Sequence, residues 1–288
     1  MEVAEEFGDC TIVCVDSMCV YRGMEIGTAS PTRDERERVP HELVDLVDHG
    51  TEFSVQRFQR EAKAAINRAA ASGRQALLVG GTGLYHRAVI DDFEIPGQYE
   101  DVAISLRERL LEVGPEVLFK ELEALDPLAA SRMEPANSRR IIRALEVTIG
   151  AERPFSSFGP GLTAYPETGI TQVGINFDRT FSDAAITARV DAMVAAGFVD
   201  EVAALLATGI PFSRTSAQAV GYPQFVSYLE GKCSLEEAKS ATVAATRQLA
   251  RRQWAWFRRD PRITWYERSE IARGLADALR MNRRSARD

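Results

Sequence analysis

The sequence predicts an α/β protein, in which a parallel-sheet core is interrupted by a helical subdomain. Two short apolar runs rich in branched side chains, at residues 11–15 and 75–79, are typical of buried parallel strands. A helical stretch at residues 54–73 lies between them, as in a right-handed strand–helix–strand unit. Residues 101–150 are almost purely helical in pattern, which indicates an inserted or appended subdomain.

The first strand, Thr11–Val15, is followed by Asp16 and Ser17. Ligands of open α/β sheets bind outside the carboxyl ends of the strands, so an acid at this position is a candidate catalytic group. The alternative is that Asp16 caps the following turn, a common role for Asp.

Capping residues, helix-breaking residues and hydrophobic periodicity predict the remaining elements. Residues 1–9 resemble the end of an amphipathic helix that stops at Gly8, and the polar, proline-containing residues 28–43 predict a loop. Ser54 is expected to cap the helix that ends at Gly73. Further helices are predicted at 102–114, 115–126, 135–150, 184–197, 198–209 and 234–259, a linker or mobile loop at 154–169, and strands at 170–177 and 262–266.

Composition limits the possible functions. The chain is 45% hydrophobic and 27% charged, which predicts a folded core, and its formal net charge of -7 argues against a general nucleic-acid coat. Contact with RNA would therefore need local basic patches. No apolar run approaches the ~20 residues of a membrane-spanning helix. The four cysteines and three histidines form no zinc pattern, which favours free thiols in a reducing cytoplasm.

Glycine and arginine clusters are the other candidate functional features. The turn VGGTG, Val79–Gly83, would let backbone approach a ligand closely, although it is a weak signal alone. Arg139, Arg140 and Arg143 form either a positive patch or a solvated helix face. Residues 247–259 contain five arginines and three aromatic residues, a composition that suits RNA, with at least one tryptophan expected in the core.

In this order, the motifs resemble those of the tRNA dimethylallyltransferases. The matching stretches are VDSMCVYRGMEIGTASP, LLVGGTGLY, SRRIIRALEV, RVDAMVAAGFVDEV, AVGYPQF and ATRQLARRQWAWFR, and they cover nearly the whole chain. The resemblance implies a P-loop NTPase-like α/β core at residues 1–98 and 166–288, and a helical insertion at 99–165 that binds the anticodon arm of tRNA. It also implies a cytoplasmic enzyme, and we expect a monomer.

The activity implied by the resemblance is transfer of a dimethylallyl group from dimethylallyl diphosphate, with Mg²⁺. The acceptor is the N6 amine of the adenosine 3′-adjacent to the anticodon, in tRNAs that read codons starting with U. By motif, Asp16 matches the general base and Arg189 the arginine that stabilises the leaving diphosphate. The implied tRNA contacts are Asp16, Ser17, Met18, Cys19, Thr82, Arg139, Arg140, Ile141, Ile142, Arg143, Gln218, Ala219, Val220, Gly221, Tyr222 and Pro223.

Three features depart from the family pattern. Gln218 and Pro223 occupy positions that are often basic in the family. The family's first strand and its GPTASGK[ST]-type loop, which cradles the diphosphate, do not occur in these 288 residues. We therefore expect Met1 to be an internal methionine or the gene model to lack about 15–25 residues, and we expect little transferase activity from the chain as given.

Two other functions remain open at this point. An adenylate isopentenyltransferase would share the core but act on free nucleotide, and the helical insertion and basic-aromatic stretch favour RNA instead. A non-catalytic protein that holds tRNA without modifying it is the second alternative, and it follows from the missing loop.

Overall fold

A three-stranded parallel sheet carries the strand that precedes Asp16. In the computed structural model, which describes residues 1–176 and 178–285, strand β1 (Cys10–Cys14) pairs with β3 (His41–Glu42) on one side and with β5 (Gln75–Val79) on the other. β1 is buried along most of its length, which confirms the predicted buried strand. The carboxyl ends of β1 and β5 therefore lie side by side.

Two smaller parallel pairs complete the described strands. β2 (Tyr21–Arg22) pairs with β4 (Val47–Asp48), and β6 (Gln172–Ile175) pairs with β7 (Ile263–Tyr266). The strands predicted at 170–177 and 262–266 are thus confirmed, although Phe177 lies outside the described residues. The parallel pairing and the mixture of strands and helices confirm the α/β class.

The chain consists of two compact units. The first comprises Met1–Ile90 and Glu167–Asp288, and the second comprises Asp91–Pro166. The helices of the first unit are α1 (Glu2–Phe7), α2 (Glu25–Thr28), α3 (Arg33–Arg38), α4 (Val55–Ala71), α5 (Gly83–Ile90), α9 (Arg179–Ala195), α10 (Phe198–Ala207), α11 (Tyr222–Leu229), α12 (Leu235–Phe257) and α13 (Ile271–Ser285).

Local caps explain where several helices begin and end. Gly8 adopts φ 70° and ends α1. The Ser54 hydroxyl accepts a hydrogen bond from the Arg57 N–H at 3.2 Å, which begins α4 as predicted. The core of this unit packs large side chains from several elements against β1, among them the fully buried Tyr21, Phe58, Phe198 and Phe225.

The predicted loop at residues 28–43 was wrong in part, because α3 lies inside it. Thr32 and Glu35 form a capping box, in which each side chain accepts a hydrogen bond from the other residue's backbone N–H. Arg33 and Glu37 add an ion pair one turn apart. Cap chemistry therefore produces a short helix where the polar composition indicated a loop.

The second unit is helical. α6 (Glu100–Leu125) is broken at Gly114, where φ is 77° and Pro115 follows, so it consists of the two predicted segments. It packs against α8 (Ser138–Gly150), and α7 (Pro127–Ala130) lies between them in sequence. Their shared core is formed by residues such as Leu106, Leu118, Leu122, Ile141 and Leu145.

The segment predicted as a linker or mobile loop, residues 154–169, begins with structure of its own. It opens with a 3-10 turn at Phe155–Phe158. Buried Asp126 accepts hydrogen bonds from the Ser156 N–H and hydroxyl, each at 2.7 Å, and from the Ala129 N–H at 3.0 Å. One carboxylate thus ties this turn to the start of α7.

None of the helices in the described part of the chain combines the length and apolar character needed to cross a membrane.

Candidate active site

The half-buried Asp16 lies just beyond the carboxyl end of β1. Its Oδ1 atom accepts hydrogen bonds from the backbone N–H groups of Met18 at 2.7 Å and Cys19 at 3.4 Å. The acid therefore caps the turn that follows it, as one interpretation of the sequence proposed. Oδ2 forms no hydrogen bond with any described residue, so one carboxylate oxygen is held in place while the other is available to a ligand.

The glycine turn after β5 lies directly against this acid. The Thr82 hydroxyl accepts a hydrogen bond from the Ser17 N–H at 3.1 Å, and the Thr82 N–H donates to the Val15 carbonyl at 3.3 Å. A Cβ atom on Gly80 would lie 2.1 Å from the same Val15 carbonyl oxygen, so a side chain there would push the two strand ends apart. The turn and the acid thus form one rigid edge.

The second half of α12 packs on the other side of the glycine turn. A Cβ on Gly81 would meet the Gln253 side chain at 2.4 Å, and a Cβ on Gly83 would meet the Trp256 ring at 2.2 Å. Trp256 therefore packs against the turn but is only half-buried, so the prediction of a tryptophan in the core is not confirmed for this stretch. Trp254 is 37% exposed, and the Arg258 guanidinium lies 5.1 Å from its ring centroid.

Glu201, on α10, fixes the segment that follows the Asp16 turn. Its carboxylate accepts hydrogen bonds from the backbone N–H groups of Ile26 at 2.7 Å and Gly27 at 3.1 Å, and from the Tyr222 hydroxyl at 2.7 Å. Burial, together with the neighbouring Glu201 carboxylate, raises the pKa of Tyr222. A Cβ on Gly27 would come within 2.5 Å of the Phe198 and Tyr222 rings. One carboxylate thus joins three of the matching sequence stretches.

The segment Gln218–Pro223 contributes mostly packing in this structure. Ala219 and Tyr222 are buried, and Gly221 adopts φ 102° with its Cα close to the Phe198 ring. Val220 is half-buried, while the side chains of Gln218 and Pro223 are exposed. The exposed side chains are those at the two positions that depart from the family pattern.

Arg189 lies on α9 with its side chain exposed. It forms no hydrogen bond or ion pair with any described residue, whereas its helix neighbours Asp183 and Asp191 pair with Arg247 at 3.2 Å and Lys239 at 2.7 Å. A cation without an acidic partner can bind an anionic ligand without first breaking an ion pair. Its role on a diphosphate stays a prediction.

In the second unit, the predicted tRNA contacts on α8 divide into surface and core. Arg139 and Arg140 are exposed, and their guanidinium groups form no hydrogen bond or ion pair with a described residue. Arg143 pairs with Glu146 at 2.6 Å and donates to the Pro96 carbonyl at 3.0 Å. Ile141 is fully buried and Ile142 partly so. The available cations of this helix are therefore Arg139 and Arg140.

A family profile described as IPP transferase matches residues 19–260, which is most of the chain. The chain belongs to the IPP transferase family.

Individual relatives agree with this membership. The chain is similar to a tRNA dimethylallyltransferase of Nocardioides sp., with 48% identity over 254 residues that cover 88% of this chain and 82% of the relative. It is 45% identical over 280 residues to the tRNA dimethylallyltransferase of Salinispora arenicola, which covers 97% of this chain and 81% of that protein.

Solved structures agree as well. The full-length tRNA isopentenylpyrophosphate transferase of Bacillus halodurans is 34% identical and superimposes with a TM-score of 0.69, covering 100% of this chain and 94% of that one. A eukaryotic dimethylallyltransferase acting on tRNA is 22% identical with a TM-score of 0.76, covering 97% of this chain and 75% of that one, and supports the fold alone. The P-loop-like α/β fold implied by the motifs is therefore confirmed for this IPP transferase.

The sequence does not predict two features of the site. Glu201 lies within the RVDAMVAAGFVDEV stretch, but the motif does not predict that its carboxylate accepts three hydrogen bonds. The signal that could have identified it is that it is one of two adjacent acids, Asp200 and Glu201, in a helix that is otherwise apolar, FVDEVAALLA. The packing of Gln253 and Trp256 on the glycine turn depends on a long-range contact that no local pattern reveals.

The described residues contain no group of three or more His, Cys, Asp or Glu side chains that could hold a metal ion, so they do not form a Mg²⁺ cage by themselves. A surface cavity of about 550 Å³ lies beside α2 and α10, lined by residues that include Arg22, His49 and Glu201. Glu201 lines this cavity, whereas Asp16, Thr82 and Arg189 do not.

Proposed function

We propose that this IPP transferase moves a dimethylallyl group from dimethylallyl diphosphate to the exocyclic N6 amine of the adenosine 3′-adjacent to the anticodon, in tRNAs that read codons starting with U. The structural observation that best supports this proposal is the position of Asp16. This acid lies at the carboxyl end of β1, with Oδ1 held by two backbone N–H groups and Oδ2 available to a ligand. The names of the relatives support the same reaction.

The chemistry follows from this carboxylate. The adenine amine nitrogen attacks the first carbon of the dimethylallyl group, the bond from that carbon to the diphosphate oxygen breaks, and the amine proton passes to Asp16 Oδ2. The backbone N–H groups on Oδ1 orient the acid for this transfer. The adenine has to leave the base stack of the loop to reach it. Arg189 stabilises the charge that develops on the departing diphosphate.

Partners and cofactor are part of the proposal. Exposed Arg139 and Arg140 on α8, and Arg251 and Arg252 on α12, bind tRNA phosphates, and exposed Trp254 offers a ring for stacking. The proposed cofactor is Mg²⁺, which when bound would neutralise part of the charge of the diphosphate. The protein acts as a monomer.

The test is Asp16→Asn, with Asp34→Asn on the exposed face of α3 as a matched control. Transfer is measured in single turnover, with enzyme in excess over an anticodon stem-loop RNA and labelled dimethylallyl diphosphate, so that slow rates remain measurable. Loss of a general base should lower the rate about 10²–10⁴-fold in Asp16→Asn and leave the control unchanged. An Asp16→Asn rate close to that of the parent would refute the assignment.

The acceptor separates the proposed function from its alternatives. The stem-loop should accept the group, whereas free AMP and a stem-loop with guanosine at the target position should not. Modification of AMP would instead indicate an adenylate isopentenyltransferase. Calorimetry with dimethylallyl diphosphate should show binding, since a protein that only holds tRNA would bind the RNA alone.

A further inference from the structure

The surface cavity beside α2 and α10 belongs entirely to the first unit and has a volume of about 550 Å³. Part of its lining is apolar and consists of Ile26, Ala204, Leu205 and Ile210. Small-molecule sites in proteins have volumes of about 300–1,000 Å³ and combine an apolar lining with a few polar groups that orient the ligand. The polar groups of this cavity therefore indicate what it could bind.

These polar groups include carboxylate oxygens that no donor occupies. Glu25 accepts a hydrogen bond from the Gly23 N–H through Oε1 at 2.9 Å, and its Oε2 forms no hydrogen bond with any described residue. Asp48 pairs with Arg22 through Oδ1 at 3.1 Å, and its Oδ2 is likewise without a donor in the described part of the chain. The cavity thus presents two available acceptors, each on a side chain that is already held at its other oxygen.

The formal charge of the cavity favours a cationic ligand. Three carboxylates, from Glu25, Asp48 and Glu201, and one guanidinium, from Arg22, line it, so its formal charge is -2 with His49 neutral. Arg22 already donates to Asp48 and to a backbone carbonyl. The groups left without a match are acceptors and negative charge, and a cation that donates hydrogen bonds is complementary to both.

A buried histidine is independent evidence for a ligand in the cavity. His49 lines the cavity and is 4% exposed. Its Nε2 lies 3.0 Å from the Ile210 carbonyl oxygen, which can only accept, so Nε2 carries the hydrogen and Nδ1 of the neutral ring is an acceptor. Nδ1 forms no hydrogen bond with any described residue. Polar atoms of buried side chains are normally hydrogen-bonded, and a donor inside the cavity would satisfy this one.

We propose that this cavity is a binding site for a linear alkyl diamine or polyamine. The ammonium groups donate to the available carboxylate oxygens of Glu25 and Asp48 and to His49 Nδ1, and the methylene chain lies on the apolar part of the lining. A neutral or anionic ligand would leave the negative charge unmatched. A metal ion does not fit, because the described residues contain no group of three or more side chains that could hold one.

The first experiment compares three ligands by calorimetry on the full chain at constant ionic strength. Putrescine carries two ammonium groups on an apolar chain, the diol of the same chain length lacks the charges, and Mg²⁺ has the charge without the chain. We expect saturable binding of putrescine at one site per chain and no binding of the other two. Absence of putrescine binding would overturn the proposal, and so would equal binding of Mg²⁺, which would show only general attraction to an acidic protein.

A steric variant locates the site without changing any charge. Ala204 lies on α10 with its side chain exposed into the cavity lining, so Ala204→Phe should fill the space without disturbing the core. Ala207→Phe, also exposed on α10 but outside the lining, is the matched control. We expect putrescine binding to weaken at least about tenfold in Ala204→Phe and to stay at the parent value in the control. Equal binding by the two variants would overturn the placement.

A charge variant tests the two acceptors. Glu25→Gln/Asp48→Asn removes two negative charges from the cavity, and Asp34→Asn/Glu37→Gln removes the same number from exposed positions of α3. The cavity variant should bind putrescine about 100-fold more weakly than the parent, about tenfold for each hydrogen bond to a charged group. The α3 variant should bind as the parent does. An equal loss in both variants would mean that net charge alone determines binding, which contradicts the proposal.

The His49 ring reports the contact directly. The chain contains three histidines, so their ¹⁵N-labelled ring resonances can be assigned by single substitutions. Saturating putrescine should shift the Nδ1 resonance of His49 and leave those of His41 and His86 unchanged. An unchanged His49 resonance, or equal shifts in all three rings, would overturn the proposal. None of these measurements involves transfer of a dimethylallyl group, so the outcome is independent of the proposed function.

Discussion

The Glu201 side chain holds three hydrogen-bond donors from two other helices in place. Its carboxylate accepts two backbone N–H groups of α2 and the Tyr222 hydroxyl of α11, so it satisfies donors that would otherwise lie poorly solvated against the core. Hydrogen bonds to a charged acceptor are stronger than those between neutral groups. The carboxylate therefore stabilises the segment that follows the Asp16 turn.

Tyr222→Phe should destabilise the protein by about 1.5–3 kcal/mol, the usual contribution of a hydrogen bond to a charged group. The ring stays in its packing with Phe198, and the loss is that of the hydroxyl contact to Glu201. Urea unfolding of the variant and parent measures the difference. Tyr228→Phe, on the same helix and half-buried, is the control and should stay within about 0.5 kcal/mol of the parent. Equal stabilities for Tyr222→Phe and the parent would mean that the contact contributes nothing.

At the scale of elements, local signals predicted the segments that carry their own caps or periodicity. Ser54 begins α4, Asn137 begins α8, and Gly114 divides α6, all as the sequence indicates. The same cap chemistry occurs at Thr32, although the charged composition around it predicts a loop. A cap is thus a stronger predictor of a short helix than composition is.

The features that could not be predicted depend on partners distant in sequence. β3 contains two residues and exists through its pairing with β1. Glu201 binds residues about 175 positions away, and the 3-10 turn after Pro154 is held by Asp126. The sequence motifs group Asp16, Ser17 and Thr82, and the Ser17–Thr82 hydrogen bond shows that these residues lie at one edge of the sheet. The motifs do not distinguish exposed Arg139 from buried Ile141. Burial of this kind depends on tertiary packing.

A buried ion pair connects the end of α12 to the start of β7. Asp260 is buried, and its two oxygens accept from Arg262 Nε at 2.8 Å and Nη2 at 2.6 Å. Burial alone would raise the pKa of Asp260, but the hydrogen bonds and charge of Arg262 outweigh it and hold the pKa below its ordinary value. A folded-state pKa below the unfolded value stabilises the fold above the unfolded pKa, and this contribution is lost as the pH falls through the folded one.

Asp260→Asn should therefore lower the free energy of unfolding at pH 7 by about 3 kcal/mol, since it removes the carboxylate from a buried ion pair with Arg262. Because the unfolded pKa is about 3.9, the parent should lose stability below about pH 4, and the variant should lose less over that interval. Urea unfolding at pH 7 and pH 3 compares them. Asp277→Asn, which removes an exposed pair with Arg280, should follow the parent at both pH values. An acid-side slope in Asp260→Asn as steep as that of the parent would contradict the assigned cause.

At the scale of the whole molecule, the protein combines a formal net charge of -7 with a proposed polyanionic substrate. Overall attraction to RNA is therefore weak, and binding has to come from exposed cations that are not neutralised by acids. Many arginines of the chain are paired, such as Arg36 with Asp45 and Arg68 with Glu42. Unpaired, exposed arginines at motif positions are accordingly the stronger candidates for phosphate contact.

The double variant Arg139→Ala/Arg140→Ala should test that selection on α8. If each arginine binds one phosphate of the anticodon arm, the slope of log affinity against log salt should fall by about 2, and binding should weaken most at low salt. Fluorescence anisotropy with labelled stem-loop RNA at several salt concentrations measures both quantities. Arg107→Ala, an exposed arginine of α6 that pairs with Glu100, is the matched control and should leave the slope unchanged. A fall in affinity with an unchanged slope would point to disturbed packing of the helical unit, and equal binding by variant and parent would remove α8 from the RNA surface.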